Sequence, residues 1–263
     1  MFLEVGALDR MDGMEILTTP LVDASPLLQD PPRLQALARR DGFLWLPGLL
    51  PAACVLALRD AVVEFAQESG WLQDGAAKPG KRIGYYQDPD WVNLQIHVQN
   101  KPEMWAAGDH PAIHEALYAA EGRSSYLNLS TANTCRVFSP HPDMATQPHQ
   151  DAHYFRLIAD FWTVWVPLGD CPLQLGPLAL AAGSHHGGML DHTGHGIVDG
   201  GVQMPPDTVW SAGDLQCGDV ILFRPLTVHR SLPNQSGTQL RISADFRYGF
   251  WEERGEVDWR HIK

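Results

Sequence analysis

Hydrophobic and polar positions along this chain follow two rhythms, which change over near Gly122. Upstream, apolar residues recur at helical spacing. Pro31 and Pro32 open RLQALARR, where Leu34, Leu37 and Ala38 share one face, and Asp41-Gly42 closes the segment ahead of the strand-like FLWLP. From Pro51, residues Val55, Leu58, Val62 and Phe65 mark a second amphipathic helix that runs to Ser69-Gly70. A further helix is expected over His110 to Ala120, through Ile113 and Leu117. Between these, WVNLQIHV alternates and predicts a strand with Asn93, Gln95 and His97 on one face. Met1 to Thr19 keeps no period and reads as a loose arm.

Downstream of Gly122 the chain turns to short β-like runs. SYLNLS, TCRVFS, QPHQDAHYF, FWTVWVPL, DVILF, LTVHRSL and QLRISADFRY are separated by Gly, Pro, Asn and Asp. Such runs predict an antiparallel barrel or sandwich with the upstream helices packed outside, an α+β protein with a mainly β core. No repeat or linker divides the chain, so residues 1–263 are expected to form one domain: an arm over about 1–20, a helix-rich part over 30–122 and the barrel core over 123–250.

The chemistry concentrates in two of these runs. If TQPHQDAHYF is a strand, alternation puts His149 and Asp151 on one face, able to grip one ion. VILFRPLTVHRSL and QLRISADFRYGF flank the turn residues PNQSG, which reads as a hairpin. With its turn centred near Gln235, His229 and Arg241 each lie six residues away and face one another. Two histidines and a carboxylate on one face of a metal, with open positions, are associated with non-heme Fe(II) oxygenases. An α-keto acid chelates at such positions and leaves one for dioxygen. The planar guanidinium of Arg241 suits capture of its far carboxylate. A lone His-x-Asp is weak among twelve histidines. The four residues in this order are far more specific.

Composition narrows the field. Hydrophobic residues make up 44%, enough for a sizeable core, and the net charge of −12, from 19 basic and 31 acidic residues, argues against a nucleic-acid partner. Cys54, Cys135, Cys171 and Cys217 are widely spaced and form no Cys-x-x-Cys pair, so reduced, structural cysteines are expected. No apolar run is long enough to span a membrane. A cytoplasmic, monomeric enzyme with a small-molecule substrate is the expectation.

Two loops stay open. The stretch from Trp71 to Tyr86 carries Lys78, Lys81 and Arg82 and is either a solvated loop or a lid for an anionic substrate. AAGSHHGGMLDHTGHG holds His185, His186, His192 and His195, but its glycines fix no ligand geometry, so a structural or substrate-covering loop is preferred to a second metal site. Tyr85, Tyr86, Tyr154 and Phe155 serve either as pocket lining or as core.

Taken together, DGFLWLPGLL, HQDAHYF, WTVWVPLGDCPLQLGPLALAAGSHHGG and GDVILFRPLTVHRSLPNQSGTQLR resemble the phytanoyl-CoA dioxygenase family of Fe(II)- and 2-oxoglutarate-dependent oxygenases. The resemblance implies a double-stranded β-helix, that is, a jelly-roll or cupin-like barrel. It implies iron on His149, Asp151 and His229, with 2-oxoglutarate on Arg241 assisted by Ser231 and beside Trp165. Asn93, Gln95 and Thr134 lie in stretches similar to those that supply further co-substrate contacts. The reaction implied is oxidative decarboxylation of 2-oxoglutarate to succinate and CO2, with O2 consumed, coupled to hydroxylation. Desaturation, ring closure or epimerisation use the same ligands. Leu-Gly-Pro-Leu and Ala-Gly-Ser-His replace the family's usual Asn-Gly-Cys-Leu and Pro-Gly-Ser-His, which bears on loop shape and substrate identity. The rivals are a metalloenzyme without 2-oxoglutarate, in which Arg241 pairs with an acid such as Asp245, a noncatalytic ligand-binding barrel, and a zinc hydrolase.

Overall fold

The computed structural model describes residues 6–11, 14–79, 89–128, 133–141, 144–155, 160–194 and 200–251. Lys81, Arg82, Tyr85, Tyr86 and His195 lie outside them. Two strands, β1 (Gly6–Met11) and β2 (Met14–Thr19), come first, followed by α1 (Pro31–Asp41), β3 (Phe43–Leu46) and α2 (Ala52–Glu68). A small hairpin, β4 (Leu72–Gln73) and β5 (Ala76–Ala77), precedes helices α3 (Pro89–Gln99), α4 (Pro102–Gly108) and α5 (Pro111–Glu121). Then come β6 (Ser125–Leu127), β7 (Thr134–Phe138), the one-turn α6 (Asp151–Tyr154), β8 (Trp162–Pro167) and β9 (Leu178–Leu180). The last strands are β10 (Val209–Ser211), β11 (Val220–Phe223), β12 (His229–Ser231) and β13 (Arg241–Phe250).

These strands build two larger sheets. One runs β1-β2-β10-β9-β12; the other runs β3-β11-β8-β13, where β13 pairs on its far side with β7 through Arg241–Asp245 and with β6 through Tyr248–Phe250. Alternation along the strands of the second sheet separates two environments. Trp162, Val164 and Val166, together with Ala244, Phe246 and Tyr248, turn outward and pack with Leu58, Val62, Leu94, Met104 and Leu117 of the helices in one core. Phe43, Trp165, Ile221 and Phe223 turn inward and meet Leu178 and Leu180 of the other sheet. The helices therefore cover one face of the larger sheet, and the inter-sheet space is left to the functional residues. This is the α+β, mainly β jelly-roll with helices outside that the sequence predicts.

Helices α1, α2 and α5 form where the periodicity puts them. Gly42 ends α1 at φ 82°, and an added Cβ there would lie 2.4 Å from His185 and 2.5 Å from the Thr227 hydroxyl, so only glycine fits. Four expectations are corrected. WVNLQIHV is helical, because Pro89 opens α3 and Leu94 and Val98, one turn apart, are its buried apolar positions. The described part of the expected arm is not loose: β1 pairs with β2, and β2 pairs with β10 in parallel. Leu72–Ala77, placed in a loop, is a hairpin whose turn residues Asp74 and Gly75 both have positive φ. The expected hairpin about Gln235 does not form, since β12 pairs with β9 and β13 with β8 in the opposite sheet.

Candidate active site

The inter-sheet cavity is lined by Arg136, Phe138, Thr146, His149, Asp151, Trp165, Leu178, His229, Ser231, Arg241, Asp245 and Arg247. His149 is held by a single antiparallel bridge in which its N–H and C=O both bond His229, at 2.9 and 3.0 Å. Gln150 is extended and buried, and Asp151 then starts α6. The His-x-Asp pair thus faces one point from a bridge and a helix start, not from one strand as the sequence suggested. The reason is local: Ala152 N–H bonds Pro225 O and Phe155 N–H bonds Asp151 O, which closes a turn where a strand would need a neighbour.

Each ligand candidate is fixed by a partner. His149 Nδ1 lies 2.7 Å from Gln147 O, and His229 Nδ1 lies 2.9 Å from Thr227 O. A carbonyl only accepts, so both Nδ1 atoms carry the proton and both Nε2 lone pairs are free for a metal. Burial pushes both imidazoles below their ordinary pKa, for His149 well below, which keeps them neutral and able to ligate. One Asp151 oxygen accepts from the Thr163 hydroxyl at 2.6 Å and from Arg247 Nη2 at 2.9 Å; the other lies 3.6 Å from His229 Nε2. Burial raises the Asp151 pKa, but Arg247, the two histidines and Thr163 outweigh it, and the net shift is well downward. One donor atom from each of His149, Asp151 and His229 falls within 4.8 Å of the others. Two neutral imidazoles and one ionised carboxylate, all buried, suit a divalent cation of the first transition row.

Arg241 stands in the same cavity, 2% exposed. Its Nη1 donates to Ser243 Oγ at 2.5 Å, its guanidinium lies 4.2 Å from the Phe138 ring centre, and its Nε has no partner. Burial lowers its pKa to about 10, so it stays charged at neutral pH. Asp245, the acid that could have occupied it, is ion-paired with Arg136 and accepts from Thr134 Oγ1 at 3.4 Å. A cavity with three arginines and two aspartates keeps one positive charge in excess, carried by Arg241. An anion is the missing partner.

The remaining expected residues divide. Trp165 and Ser231 line the cavity with the triad and Arg241; the Ser231 hydroxyl accepts from Thr146 N at 2.7 Å. Thr134 sits behind Asp245. Asn93 is exposed on α3, and Gln95 commits its carboxamide to the Cys135 backbone, accepting at 2.9 Å and donating at 2.8 Å. The structure therefore does not bring Asn93, Gln95 or Thr134 to the cavity wall. Sequence reasoning missed Arg136, Thr163, Asp245 in its true pairing, and Arg247. The alternation in RISADFR was the available signal, since it puts Arg241, Ser243, Asp245 and Arg247 on one face.

The described histidines of the histidine-rich loop make contacts within the protein. His185 Nε2 lies 2.9 Å from Arg39 O, and His192 accepts from Gln150 N at 3.1 Å and stacks on His153 at 4.0 Å. Among the described residues the His149, Asp151 and His229 group is the one cluster suited to a metal. Cys54, Cys135, Cys171 and Cys217 are free thiols, as expected. No described helix is long and apolar enough to cross a membrane.

Comparison with known proteins agrees with this geometry. The chain is 28% identical over 245 residues to a 1-deoxypentalenic acid 11-beta-hydroxylase of Streptomyces arenae, covering 86% of this chain and 83% of the relative. A protein of the same name from Streptomyces exfoliatus is 26% identical over 244 residues, with 86% and 83% coverage. Among solved structures, EvdO2 from Micromonospora carbonacea var. aurantiaca, complexed with 2-oxoglutarate, superposes with a TM-score of 0.61 at 18% identity over 98% of each chain. The epimerase SnoN, in complex with Fe3+, alpha ketoglutarate and nogalamycin RO, gives 0.58 at 22% identity over 84% of this chain and 83% of its own. The family model for phytanoyl-CoA dioxygenase (PhyH) matches residues 38–243, and the chain belongs to that family.

Proposed function

We propose that this chain, a non-heme iron, 2-oxoglutarate-dependent dioxygenase, hydroxylates a small organic scaffold, with His149, Asp151 and His229 as iron ligands and Arg241 as the anchor of the co-substrate. The observation that carries the reading is the buried guanidinium of Arg241, without a carboxylate within ion-pair distance among the described residues and in one cavity with the triad. A metalloenzyme or hydrolase using the triad alone has no need of it, and the salt bridge to Asp245 that would make it structural is made by Arg136 instead.

Iron held by His149, Asp151 and His229 would supply the redox chemistry, in which O2 is the oxidant: one of its oxygen atoms enters succinate as 2-oxoglutarate loses CO2, and the other becomes the substrate's hydroxyl. The chain's own part is positioning. Phe138 backs the guanidinium of Arg241 and Trp165 lines the same cavity, and such low-dielectric walls strengthen its hold on an anion. Ser231 fixes Thr146 and so the approach to His149. Tyr154, with its ring centre 5.8 Å from that of His149, gives the substrate side an aromatic edge. The hydroxylases of Streptomyces act, by name, on 1-deoxypentalenic acid, and a small organic acid is the substrate class we favour.

The test is succinate release by metal-free protein reconstituted anaerobically with Fe(II) and exposed to oxygen and 2-oxoglutarate. Succinate that depends on iron, disappears in His149→Ala and demands far more 2-oxoglutarate in Arg241→Ala is expected. Absence of both tight Fe(II) binding and 2-oxoglutarate binding would leave only a noncatalytic barrel.

A further inference from the structure

The inward face of β13 carries Arg241, Ser243, Asp245 and Arg247 in succession, each at most 4% exposed. Arg241 and Asp245 have opposite charge and are separated by one inward position. In a buried, low-dielectric space such groups close on each other unless something else satisfies them, because each is costly to leave unpaired. That closure would fill the guanidinium that the co-substrate needs.

The neighbouring strand prevents it. In the β7–β13 register Arg136 stands opposite Ser243 and Thr134 opposite Asp245. Arg136 reaches diagonally so that its Nε donates to Asp245 Oδ2, and Thr134 donates to the same oxygen at 3.4 Å. Ser243 takes Arg241 Nη1 at 2.5 Å and Phe138, opposite Arg241 in the register, stacks beneath its guanidinium. Each charged group except Arg241 has its ionic partner. We propose that Arg136 is a positioning residue of the co-substrate site: by engaging Asp245 it keeps the Arg241 guanidinium open for the distal carboxylate of 2-oxoglutarate. This rests on the 2-oxoglutarate reading above.

The experiment is anaerobic calorimetric titration of 2-oxoglutarate into the Mn(II)-loaded full chain, comparing wild type, Arg136→Gln, Asp245→Asn and the double variant. Arg136→Gln releases Asp245 onto Arg241 and should weaken 2-oxoglutarate binding by about tenfold or more, with Mn(II) affinity changed by less than about threefold. Asp245→Asn removes the competitor, so the double variant should return to within about threefold of wild type. The double variant leaves no buried lone charge at this pair, so it reports even if Arg136→Gln alone does not fold. Weak binding in the double variant would mean that Arg136 touches the ligand itself and would overturn the inference, as would wild-type affinity in Arg136→Gln. Wild-type protein that fails to bind 2-oxoglutarate in a metal-dependent way overturns the co-substrate reading first and this inference with it.

Discussion

Arg247 reaches from β13 to Asp151 and donates its Nη2 to the carboxylate Oδ2 at 2.9 Å, with both side chains buried. The Thr163 hydroxyl of β8 donates to the same oxygen at 2.6 Å. Oδ2 is thereby occupied from two sides, and Oδ1 is the oxygen turned toward His229. A carboxylate held this way offers one oxygen to a metal and cannot rotate to offer both.

Removing the hydroxyl tests that arrangement with little change of volume. Thr163→Val should weaken divalent-metal binding by about 10–100-fold, the usual cost of losing a partner behind a ligand. Cobalt titration followed by its visible absorption gives both affinity and coordination number. An unchanged affinity and spectrum would show that Arg247 orients Asp151 alone. Arg247→Gln removes one side of a buried ion pair and should lower apoprotein stability by about 3–5 kcal/mol in urea unfolding.

Gly176 makes the turn between β8 and β9 possible. It has φ 76°, and a Cβ there would lie 2.3 Å from Leu232 O and 2.8 Å from Pro233 O. Because backbone cannot move aside as a side chain does, Gly176→Ala should cost at least about 2 kcal/mol, more than the left-handed strain alone. Urea midpoints read the loss; a change under half that size would mean that the Leu232–Pro233 segment shifts freely.

The helices were legible because their apolar positions report burial directly: Leu34 and Ala38 in α1, and Val55, Leu58, Val62 and Phe65 in α2, are all buried. The strand expected at Asn93, Gln95 and His97 failed because polar residues also alternate by chance over a stretch this short, whereas Leu94 and Val98 carried the packing. The three residues proposed to hold iron, and Arg241, stood out as residue types in order, although both local geometries assigned to them were wrong. His149 and Asp151 meet through a bridge and a helix start, and His229 and Arg241 face each other from different sheets. Sheet membership is decided by long-range pairing, which no local pattern contains. Alternation in RISADFR carried a signal for Arg247, but Arg136 was invisible for the same reason: its role depends on which strand lies beside β13.

Tyr248 gives a pH signature remote from the site. It is fully buried, its hydroxyl donates to Gly108 O, and burial, with the nearby Asp109 charge, pushes its pKa well above the ordinary value. The folded state therefore keeps the phenol protonated while the unfolded chain ionises near pH 10. Stability from this group is complete below about pH 10 and is lost above it, at about 1.4 kcal/mol per pH unit, up to the folded pKa. Tyr248→Phe should be less stable at pH 8 by about 1 kcal/mol yet decline less steeply between pH 9 and 11. Parallel declines for the two proteins in urea unfolding would contradict the assignment.

Gln150, the middle residue of the His-x-Asp sequence, ties the candidate metal ligands to the histidine-rich loop. Its side chain is fully buried; Nε2 donates to Gly188 O at 2.8 Å and Leu226 O at 2.7 Å, and Oε1 accepts from Leu190 N at 2.8 Å. One carboxamide thus satisfies three backbone groups from two segments, at its cost in side-chain entropy alone. Gln150→Ala strands all three and should destabilise the fold by about 2–3 kcal/mol. The loss should be local first, because the segment from Gly188 to His192 has few other bonds to the barrel. Hydrogen exchange of the Leu190 amide and proteolytic cleavage between Gly188 and His192 should both accelerate before global unfolding. His192→Ala, which frees the Gln150 amide and the Leu190 carbonyl and removes the ring stacked on His153 but leaves the Gln150 carboxamide in place, should do so less. Equal protection in Gln150→Ala and wild type would mean that packing of Leu190, not this carboxamide, holds the loop.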